Sequence, residues 1–469
     1  MKIYINTLGC SKNTVDSENA AALLEEAEHS IVGSLEDAEL ILVNTCGFIN
    51  DAKEESIDTI LEMAEYRKNG AILAASGCLT QRYADELFRE IPEIDILLGV
   101  NEYERLPSLI EQYRKDGKRI VRAEREAEEY CEIPVRKPEA GIPYAYLKIS
   151  EGCDRVCSYC IIPSIRGHYR SRKMENIVRE AEFLASCGCS EIILIAQNVT
   201  AYGTDLYGRH MLAELLRQLC AVEKIHWIRL LYCYEDEITE ELIETIRSEE
   251  KICDYIDIPL QHVDDRILAD MHRNSTSASI RSTVSRLREA IPDIHIRTTF
   301  ITGFPGESEE AFGRLASFVE ETRFDRMGVF SYSQEENTIA GERKDQIPQE
   351  IRDSRRDLLM EIQRGISLEN NLKKVGQIFE VMVEEQEEEN TYLGRTRWDA
   401  PEIDDGVIFT SERVLRPGEY VFVEVTDAFD YDLCGRIIEN TGEKSADESM
   451  RPAAGGPRQE QVKTEKEGE

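Results

Sequence analysis

The stretch Ser150-Glu-Gly-Cys-Asp-Arg-Val-Cys-Ser-Tyr-Cys160 decides how this chain is interpreted. Its thiols, Cys153, Cys157 and Cys160, stand in a C-x-x-x-C-x-x-C pattern directly after an apolar segment. Three thiolates in so short a loop can ligate three irons of a cubane cluster and leave the fourth iron without a protein ligand. An open iron can bind a reacting molecule, so the pattern favours catalysis over simple electron storage.

Two other interpretations of this loop are a zinc site and a disulfide loop. Structural zinc is usually closed by four ligands, and the nearest candidate for a fourth is His168. A disulfide needs an oxidising compartment, and residues 1–30 lack the charged-then-apolar pattern of a signal segment. No apolar run approaches the roughly 18 residues of a transmembrane helix. We therefore expect reduced, cluster-binding cysteines in a soluble, cytoplasmic protein that does not contact membranes.

Length and charge set broader limits. A chain of 469 residues is long enough for three domains, each with its own core. With 56 basic and 92 acidic residues its formal net charge is −36. Such a chain is repelled by phosphate backbones unless it carries a local basic groove, so a basic protein is easier to justify as a partner than a nucleic acid. A strongly acidic composition can also keep a protein soluble without indicating any partner.

The first hundred residues alternate between strand and helix patterns. The predicted strands are residues 2–6, 39–43, 71–75 and 94–100. This alternation predicts a parallel sheet flanked by helices. Cys10, Cys46 and Cys78 each follow one of these strands, at the edge where open α/β sheets assemble ligand sites, and each has a glycine beside it. A single such cysteine is usually a small buried hydrophobe, but the repeated position predicts a second cluster site.

A second alternation follows a linker at residues 122–143, in which Cys131 has no evident partner. Its predicted strands are 144–149, 191–196, 226–232, 255–259, 294–301 and 326–331. Six such units predict a partial (β/α)6 barrel with its functional loops after the strands. A charged helix at 349–374 leads to a small antiparallel barrel with strands at 378–383, 392–396, 407–409 and 420–426. The expected fold is α/β, with domains at 1–121, 139–371 and 372–438 and a disordered tail at 440–469.

The cysteine loop, with Tyr159 before its last cysteine, resembles the radical S-adenosylmethionine enzymes. Three longer stretches make the chain similar to the methylthiotransferase family, which combines an N-terminal cluster-binding domain, a radical S-adenosylmethionine barrel and a C-terminal TRAM domain. They are Leu8-Gly-Cys-Ser-Lys-Asn-Thr-Val-Asp-Ser-Glu18, the extended loop from Ile149 to Arg166, and Trp398-Asp-Ala-Pro-Glu-Ile-Asp404. The details resemble most the type that modifies an aspartate of ribosomal protein S twelve.

This resemblance implies two 4Fe-4S clusters and S-adenosylmethionine as cofactors. It assigns the radical-generating cluster to Cys153, Cys157 and Cys160, and the auxiliary cluster to Cys10, Cys46 and Cys78. It implies addition of a methylthio group to the β-carbon of the target aspartate, with an electron donor such as flavodoxin or ferredoxin. The substrate would be ribosomal protein S twelve, free or in the small ribosomal subunit.

The sequence leaves two alternative functions open. One is modification of a transfer RNA adenosine, as in the MiaB type, and the other is a non-catalytic iron-sulfur scaffold or sulfur carrier. Residues 375–437 contain five basic and sixteen acidic side chains, a net charge of −11, which disfavours RNA binding by the small barrel. A full barrel with a radical-type triad disfavours the scaffold.

Several further residues are candidates for ligand contacts. Gly303 and Gly306 lie in a segment that resembles the adenine side of the superfamily site, or form an ordinary turn. Gln197 and Asn198 could hydrogen-bond the methionine moiety or the substrate, or cap the following segment. The remaining candidates are Arg166 and Arg170, as carboxylate ligands or surface charges, and His262, which is more commonly structural. Incidental thiols are expected at Cys187, Cys189, Cys220, Cys233, Cys253 and Cys434.

Overall fold

The computed structural model describes residues 1–123, 130, 132–133, 136, 138–139 and 141–438, apart from the side chains of residues 68 and 69. Cys131 and the tail predicted at 440–469 lie outside the described residues. None of the described helices combines the length and apolar character needed to cross a membrane.

The N-terminal domain is a six-stranded parallel sheet with strand order β2-β1-β3-β4-β5-β6. Its strands are β1 Lys2–Thr7, β2 Ser30–Ile31, β3 Leu40–Thr45, β4 Ile72–Gly77, β5 Ile96–Leu98 and β6 Ile120–Arg122. Its helices are α1 Ser11–Glu26, α2 Asn50–Ala64, α3 Cys78–Arg82, α4 Ala84–Glu90 and α5 Leu106–Asp116. Alternate residues of β3 face opposite cores, Leu40 and Leu42 on one side and Ile41 and Val43 on the other, because helices cover both faces of the sheet.

The central domain is an open six-stranded parallel sheet with strand order β7-β10-β11-β12-β13-β14. Its strands, with a short antiparallel pair β8-β9, are β7 Tyr144–Lys148, β8 Ser150–Glu151, β9 Arg170–Ser171, β10 Glu191–Ile195, β11 Trp227–Leu230, β12 Ile252–Gln261, β13 His295–Thr302 and β14 Arg326–Ser331. Its helices are α6 Ile162–Arg166, α7 Met174–Ser186, α8 Leu212–Cys220, α9 Glu240–Ser248, α10 Asp265–Asp270, α11 Ser277–Ala290, α12 Glu309–Thr322 and α13 Gln349–Leu372. The expected partial barrel is confirmed.

The C-terminal domain is a closed barrel with strand order β15-β16-β17-β19-β18. Its strands are β15 Ile378–Glu388, β16 Thr391–Thr396, β17 Val407–Thr410, β18 Tyr420–Ala428 and β19 Leu433–Ile437. The sequence predicted four of these strands and missed β19. That strand closes the barrel by pairing in parallel with β17 and antiparallel with β18.

The Trp398 segment docks this barrel onto the central domain. The Trp398 ring stacks on His295, with 5.0 Å between ring centroids, and Asp399 accepts a hydrogen bond from Arg326 at 2.7 Å. His295 and Arg326 are the first residues of β13 and β14. The barrel therefore covers the amino end of the central sheet, opposite the loops that follow the strands, and the Trp398 segment lies away from the cysteine loops.

Candidate active site

The N-terminal thiols lie at the carboxyl edge of the first sheet. Cys10 precedes α1, Cys46 follows β3, and Cys78 is the first residue of α3. At Gly9, where φ is +93°, a Cβ atom would lie 3.1 Å from the Cys46 Sγ and 2.9 Å from its Cβ. A side chain at this position would collide with Cys46, so glycine allows the first and second loops to approach each other. The fold thus brings together the three cysteines predicted for the second cluster.

An arginine from the central domain contacts this group. Arg166, the last residue of α6, donates to the Cys78 Sγ at 3.2 Å. Burial raises the pKa of Cys78 to about 11, partly opposed by Arg166. Burial also raises the pKa of Cys10, but Lys12 and Arg166 outweigh it and leave that pKa below the ordinary value. The basic side chains therefore favour thiolates at this edge of the sheet.

The thiols of the central domain are held by backbone hydrogen bonds. The Cys153 N–H donates to the Gly167 carbonyl at 3.1 Å, and the Cys160 N–H donates to the Cys157 carbonyl at 3.0 Å. Burial raises the pKa of Cys153 to about 11 and that of Cys160 to about 12, and the neighbouring thiols raise both further. These cysteines form one compact loop, in which each thiol lies within the electrostatic influence of another.

The spacing of the thiols tests which metal group they fit. Within the described residues, no three His, Cys, Asp or Glu side chains lie close enough to share one metal ion. A cubane cluster binds each thiolate to a different iron, so its ligands stand farther apart than those of a single zinc ion. Thiol-only donor sets also suit iron-sulfur clusters. Both triads fit a cluster better than zinc.

Buried charges connect the two triads. Arg166 donates to Asp16 at 2.6 Å and to Asn13 at 2.7 Å, both on α1, and to Glu151 at 3.3 Å. Lys148 pairs with Asp16 and, at 2.7 Å, with Glu151. Each cation faces two carboxylates, so the charges are matched inside the protein. The network joins α1 to the strand that leads into the Cys153 loop.

Gln197 and Asn198 follow β10 and donate to carboxylates of the same domain. The Gln197 amide donates to Glu151 at 2.7 Å, and the Asn198 amide donates to Glu237 at 2.7 Å. The Asn198 side-chain oxygen also accepts from the Ala201 N–H at 3.3 Å, so it caps the turn that follows. Gln197 keeps a buried side-chain oxygen that has no partner among the described residues.

The two candidate glycines have a packing requirement in this structure. A Cβ at Gly303 would lie 2.2 Å from the Arg352 side chain of α13, and a Cβ at Gly306 would lie 2.8 Å from Arg343 and Asp345. Both have positive φ, +71° and +82°. The turn thus needs these glycines whether or not a ligand binds beside it. Tyr159, the aromatic residue of the cysteine loop, packs against a group of buried hydrophobic side chains that includes Phe304 from this same turn.

The remaining candidates have partners inside the protein. Arg170 donates to the backbone carbonyls of His168 at 2.9 Å and Arg166 at 3.1 Å. His262 is fully buried. Its Nε2 lies 3.2 Å from the Glu307 carboxylate, and its Nδ1 accepts a hydrogen bond from the Asp264 N–H at 2.9 Å. Both therefore serve the local structure here. The cysteines expected to be incidental are all free thiols: Cys187, Cys189, Cys220, Cys233, Cys253 and Cys434.

Three family models match parts of the chain. The model described as "Uncharacterized protein family UPF0004" matches residues 2–99, the Radical SAM superfamily matches 147–319, and the TRAM domain matches 375–438. The three matches fall, in this order, on the N-terminal sheet, the central sheet and the C-terminal barrel.

Relatives extend this similarity over nearly the whole chain. A protein of Acetivibrio thermocellus is 48% identical over 449 residues, which are 94% of this chain and 99% of that protein. A protein of Desulfitobacterium hafniense is 46% identical over 440 residues, 93% of this chain and 99% of that protein. Both are described as "Ribosomal protein uS12 methylthiotransferase RimO". The chain belongs to the RimO family.

Solved structures show that the RimO-family chain shares its fold with more distant proteins. The radical S-adenosylmethionine methyltransferase TsrM of Kitasatospora setae aligns with a TM-score of 0.54 at 14% identity, over 72% of this chain and 74% of TsrM. The cobalamin-dependent enzyme OxsB aligns with a TM-score of 0.50 at 15% identity, over 77% of this chain and 56% of OxsB. At these identities the likeness is one of fold alone.

Sequence reasoning missed one set of residues that positions the N-terminal thiols of this RimO-family chain. Glu335, buried in the segment after β14, accepts from Lys53 at 2.9 Å and from Arg82 at 2.8 Å. Arg82 also donates to the carbonyl of Gly47, beside Cys46, at 3.0 Å. This Glu335 latch ties the N-terminal domain to the central domain. No sequence signal could have found it, because Glu335 lies more than 250 residues from Arg82 in the chain.

Proposed function

We propose that this protein adds a methylthio group to the β-carbon of an aspartate in ribosomal protein uS12. The observation that carries the proposal is the contact that links the two triads: Arg166, six residues after Cys160, donates to the Cys78 Sγ at 3.2 Å. Sulfur insertion at an unactivated carbon needs a means of carbon activation and a source of sulfur. Two adjacent thiol triads provide a place for each.

We assign Cys153, Cys157 and Cys160 to one 4Fe-4S cluster, with S-adenosylmethionine beside it, and Cys10, Cys46 and Cys78 to the other. When bound, these groups supply the radical and sulfur chemistry that acid-base residues cannot provide. Around the first triad we place the residues predicted to surround S-adenosylmethionine: Tyr159, Gln197, Asn198, Gly303 and Gly306. Their contacts with Glu151, Glu237 and Glu307 support this placement, because they hold the turns at the carboxyl edge of the sheet in fixed positions.

The chain's own residues exclude water and hold the two domains in register. Lys148, Asp16, Glu151 and Arg166 are all buried, and their charges balance one another. A buried network between the triads keeps a reactive substrate carbon near one donor and away from solvent. We propose domain limits at 1–122, 139–371 and 372–438, since β6 ends at Arg122, just past the predicted boundary.

The surface of the small barrel supports a protein substrate rather than RNA. The hairpin between β15 and β16 exposes Glu385, Glu387, Glu388 and Glu389, which attract a basic ribosomal protein and repel phosphate. We propose that uS12, free or in the small subunit, is recognised partly here, without direct binding of transfer RNA. Because its substrate is ribosomal, we place the reaction in the cytoplasm, with a small carrier such as flavodoxin or ferredoxin as electron donor.

The test is anaerobic incubation of the cluster-loaded protein with S-adenosylmethionine, sulfide and reductant, with a uS12 peptide and transfer RNA offered in parallel. We expect mass spectrometry to find a gain of one methylthio group on the peptide's aspartate. The Cys157→Ala variant serves as the matched control without product. A gain on adenosine, or no gain on either substrate with fully loaded protein, would overturn the proposal.

A further inference from the structure

Lys12 is a buried cation without a carboxylate partner. Only 8% of the residue is exposed, and its Nζ lies 2.9 Å from the centroid of the Tyr232 ring. Among the described residues, no carboxylate lies within ion-pair distance of it, whereas Lys148 pairs with both Asp16 and Glu151. Buried ammonium N–H groups without an acceptor are costly, so these unused donors point to an acceptor that arrives with a ligand.

The position of Lys12 is specific. It lies in the first turn of α1, two positions after Cys10, and Tyr232 lies at the carboxyl end of β11 in the central domain. The ammonium therefore bridges the N-terminal thiols and the mouth of the barrel. The neighbouring Ser11 is also nine-tenths buried, and its hydroxyl has no partner among the described residues. Two adjacent donors thus remain unused at this point.

The backbone of Tyr232 is held in a strained conformation. Its backbone adopts φ of +63°, a left-handed conformation that a bulky residue rarely takes. The Tyr232 N–H donates to Asp257 at 2.9 Å, and its carbonyl accepts from Val199 at 3.1 Å. An aromatic face stabilises an ammonium without neutralising it. The Tyr232 ring therefore leaves the N–H donors of the ammonium for a ligand.

Two arginines that follow the Cys153 loop already have hydrogen-bond acceptors inside the protein. Arg166 donates to Asp16, Asn13, Glu151 and the Cys78 Sγ. Arg170 donates to backbone carbonyls. Of these three cations, Lys12 is the one without a hydrogen-bond acceptor in the described structure.

We propose that Lys12 binds the side-chain carboxylate of the substrate aspartate, an inference that rests on the proposed function. In aspartate the β-carbon is bonded directly to the carboxylate carbon, so a cation beside Cys10 that holds the carboxylate places this carbon at the N-terminal thiols. S-adenosylmethionine also carries a carboxylate. Lys12, however, belongs to the N-terminal domain, whereas the residues assigned to the cofactor follow strands of the central domain.

Binding of uS12 peptides tests this assignment without turnover. Cluster-loaded wild type and Lys12→Met are titrated, by fluorescence anisotropy, with a peptide that contains the target aspartate and with one that contains asparagine there. Loss of a charged hydrogen bond lowers affinity roughly 10-fold or more. We expect Lys12→Met to bind the aspartate peptide about 10-fold more weakly, to bind the asparagine peptide as wild type does, and to bind S-adenosylmethionine with unchanged affinity. Lys12→Arg should keep the preference for aspartate, and Lys2→Met, which removes an exposed lysine paired with Asp37, should keep it too.

Equal weakening for both peptides would mean a structural role for Lys12, and weaker binding of S-adenosylmethionine alone would assign it to the cofactor; either outcome overturns the inference. If Lys12→Met fails to fold, carbodiimide coupling of the wild type to the aspartate peptide decides the matter, with a Lys12 cross-link expected and a cross-link at other lysines or none contradicting it. If the wild type methylthiolates the peptide but shows no dependence on Lys12, the inference fails alone. If the wild type neither binds nor modifies the peptide, the proposed function fails with it.

Discussion

The two thiol triads differ in how the chain builds them. Cys153, Cys157 and Cys160 lie in one loop, and backbone hydrogen bonds from the loop and from the adjacent Gly167 fix their positions. Cys10, Cys46 and Cys78 come from three loops at one sheet edge, and their environment is completed by Arg166 from another domain. The first site is therefore a local structure, whereas the second depends on how two domains dock. The properties of the second should respond to changes at the domain interface.

Removal of a ligand from each triad gives the largest expected difference. Cys157→Ala should abolish both cleavage of S-adenosylmethionine and methylthiolation, since the open-iron cluster is lost. Cys10→Ala should abolish methylthiolation while cleavage stays near the wild-type rate. Chromatography of 5′-deoxyadenosine, together with product mass spectrometry, measures both. An equal loss of cleavage in the two variants would contradict the assignment of separate roles.

Loss of Arg166 should affect the N-terminal triad selectively. Arg166→Gln removes the donor to Cys78 and leaves Asp16 and Glu151 with one cation, which should lower the free energy of unfolding by about 3 kcal/mol. The reduction potential of the N-terminal cluster should also fall, because removal of a nearby positive charge disfavours the more negative reduced form.

Potentiometric titration of a variant that lacks Cys153, Cys157 and Cys160 isolates this potential. Arg273→Gln is the matched control. Arg273 is buried, pairs with Glu235 at 2.5 Å and lies over the Tyr234 ring beside Cys157. The Arg273→Gln variant should leave the reduction potential of the N-terminal cluster unchanged. A purely structural role for Arg166 would lower stability without any shift in potential.

The Glu335 latch tests whether docking sustains the N-terminal triad. Glu335→Gln should cost roughly 2 kcal/mol at pH 7, because Lys53 and Arg82 lose their shared buried carboxylate. Burial raises the pKa of Glu335, but hydrogen bonds from Lys53, Arg82 and Ser333 outweigh it and leave that pKa below its ordinary value. A lowered folded pKa means that this stability is present above the unfolded value of about 4.3 and is lost as pH falls through the folded value.

Urea unfolding at several pH values checks this effect, with the exposed neighbour Glu336→Gln as control. The difference in the free energy of unfolding between wild type and Glu335→Gln should be constant from pH 6 to 8 and shrink below about pH 4. Methylthiolation should fall more than cleavage of S-adenosylmethionine. If both activities fall in parallel, the N-terminal triad does not depend on docking.

Substitutions in the acidic hairpin between β15 and β16 should have the smallest effect on activity. They should change neither thiol triad. Replacement of Glu387 and Glu388 by glutamine should raise the KM for uS12 about two-fold at low salt, with kcat and stability unchanged, because exposed charges contribute mainly to encounter. The difference should vanish at high ionic strength. Steady-state kinetics at two salt concentrations measures it. A loss in kcat would show that the hairpin influences the site directly.

Periodicity predicted most of the fold. All six strands of the central sheet lie where the sequence placed them, since each is an apolar run between helical patterns. Five strands were missed, and all are short or weakly patterned: β2, β6, β8 and β9 contain three residues or fewer, and β19 is interrupted by Gly435. Such strands are defined by their partners: β2 pairs with β1, and β19 pairs with β17 and β18. The Trp398 segment was predicted only as a family signature, and its stacking on His295 could not be inferred without the docked domains.

The sequence by itself determined that Cys153, Cys157 and Cys160 lie together, because all three thiols belong to one short segment whose spacing survives in any fold. It also determined that Cys10, Cys46 and Cys78 would share a sheet edge, because parallel strands end on the same side. The tertiary structure alone decided that Arg166 reaches Cys78 and that Lys12 lies over Tyr232. These contacts join residues far apart in the chain, and they depend on the angle at which two separately folded domains pack, which no local pattern encodes.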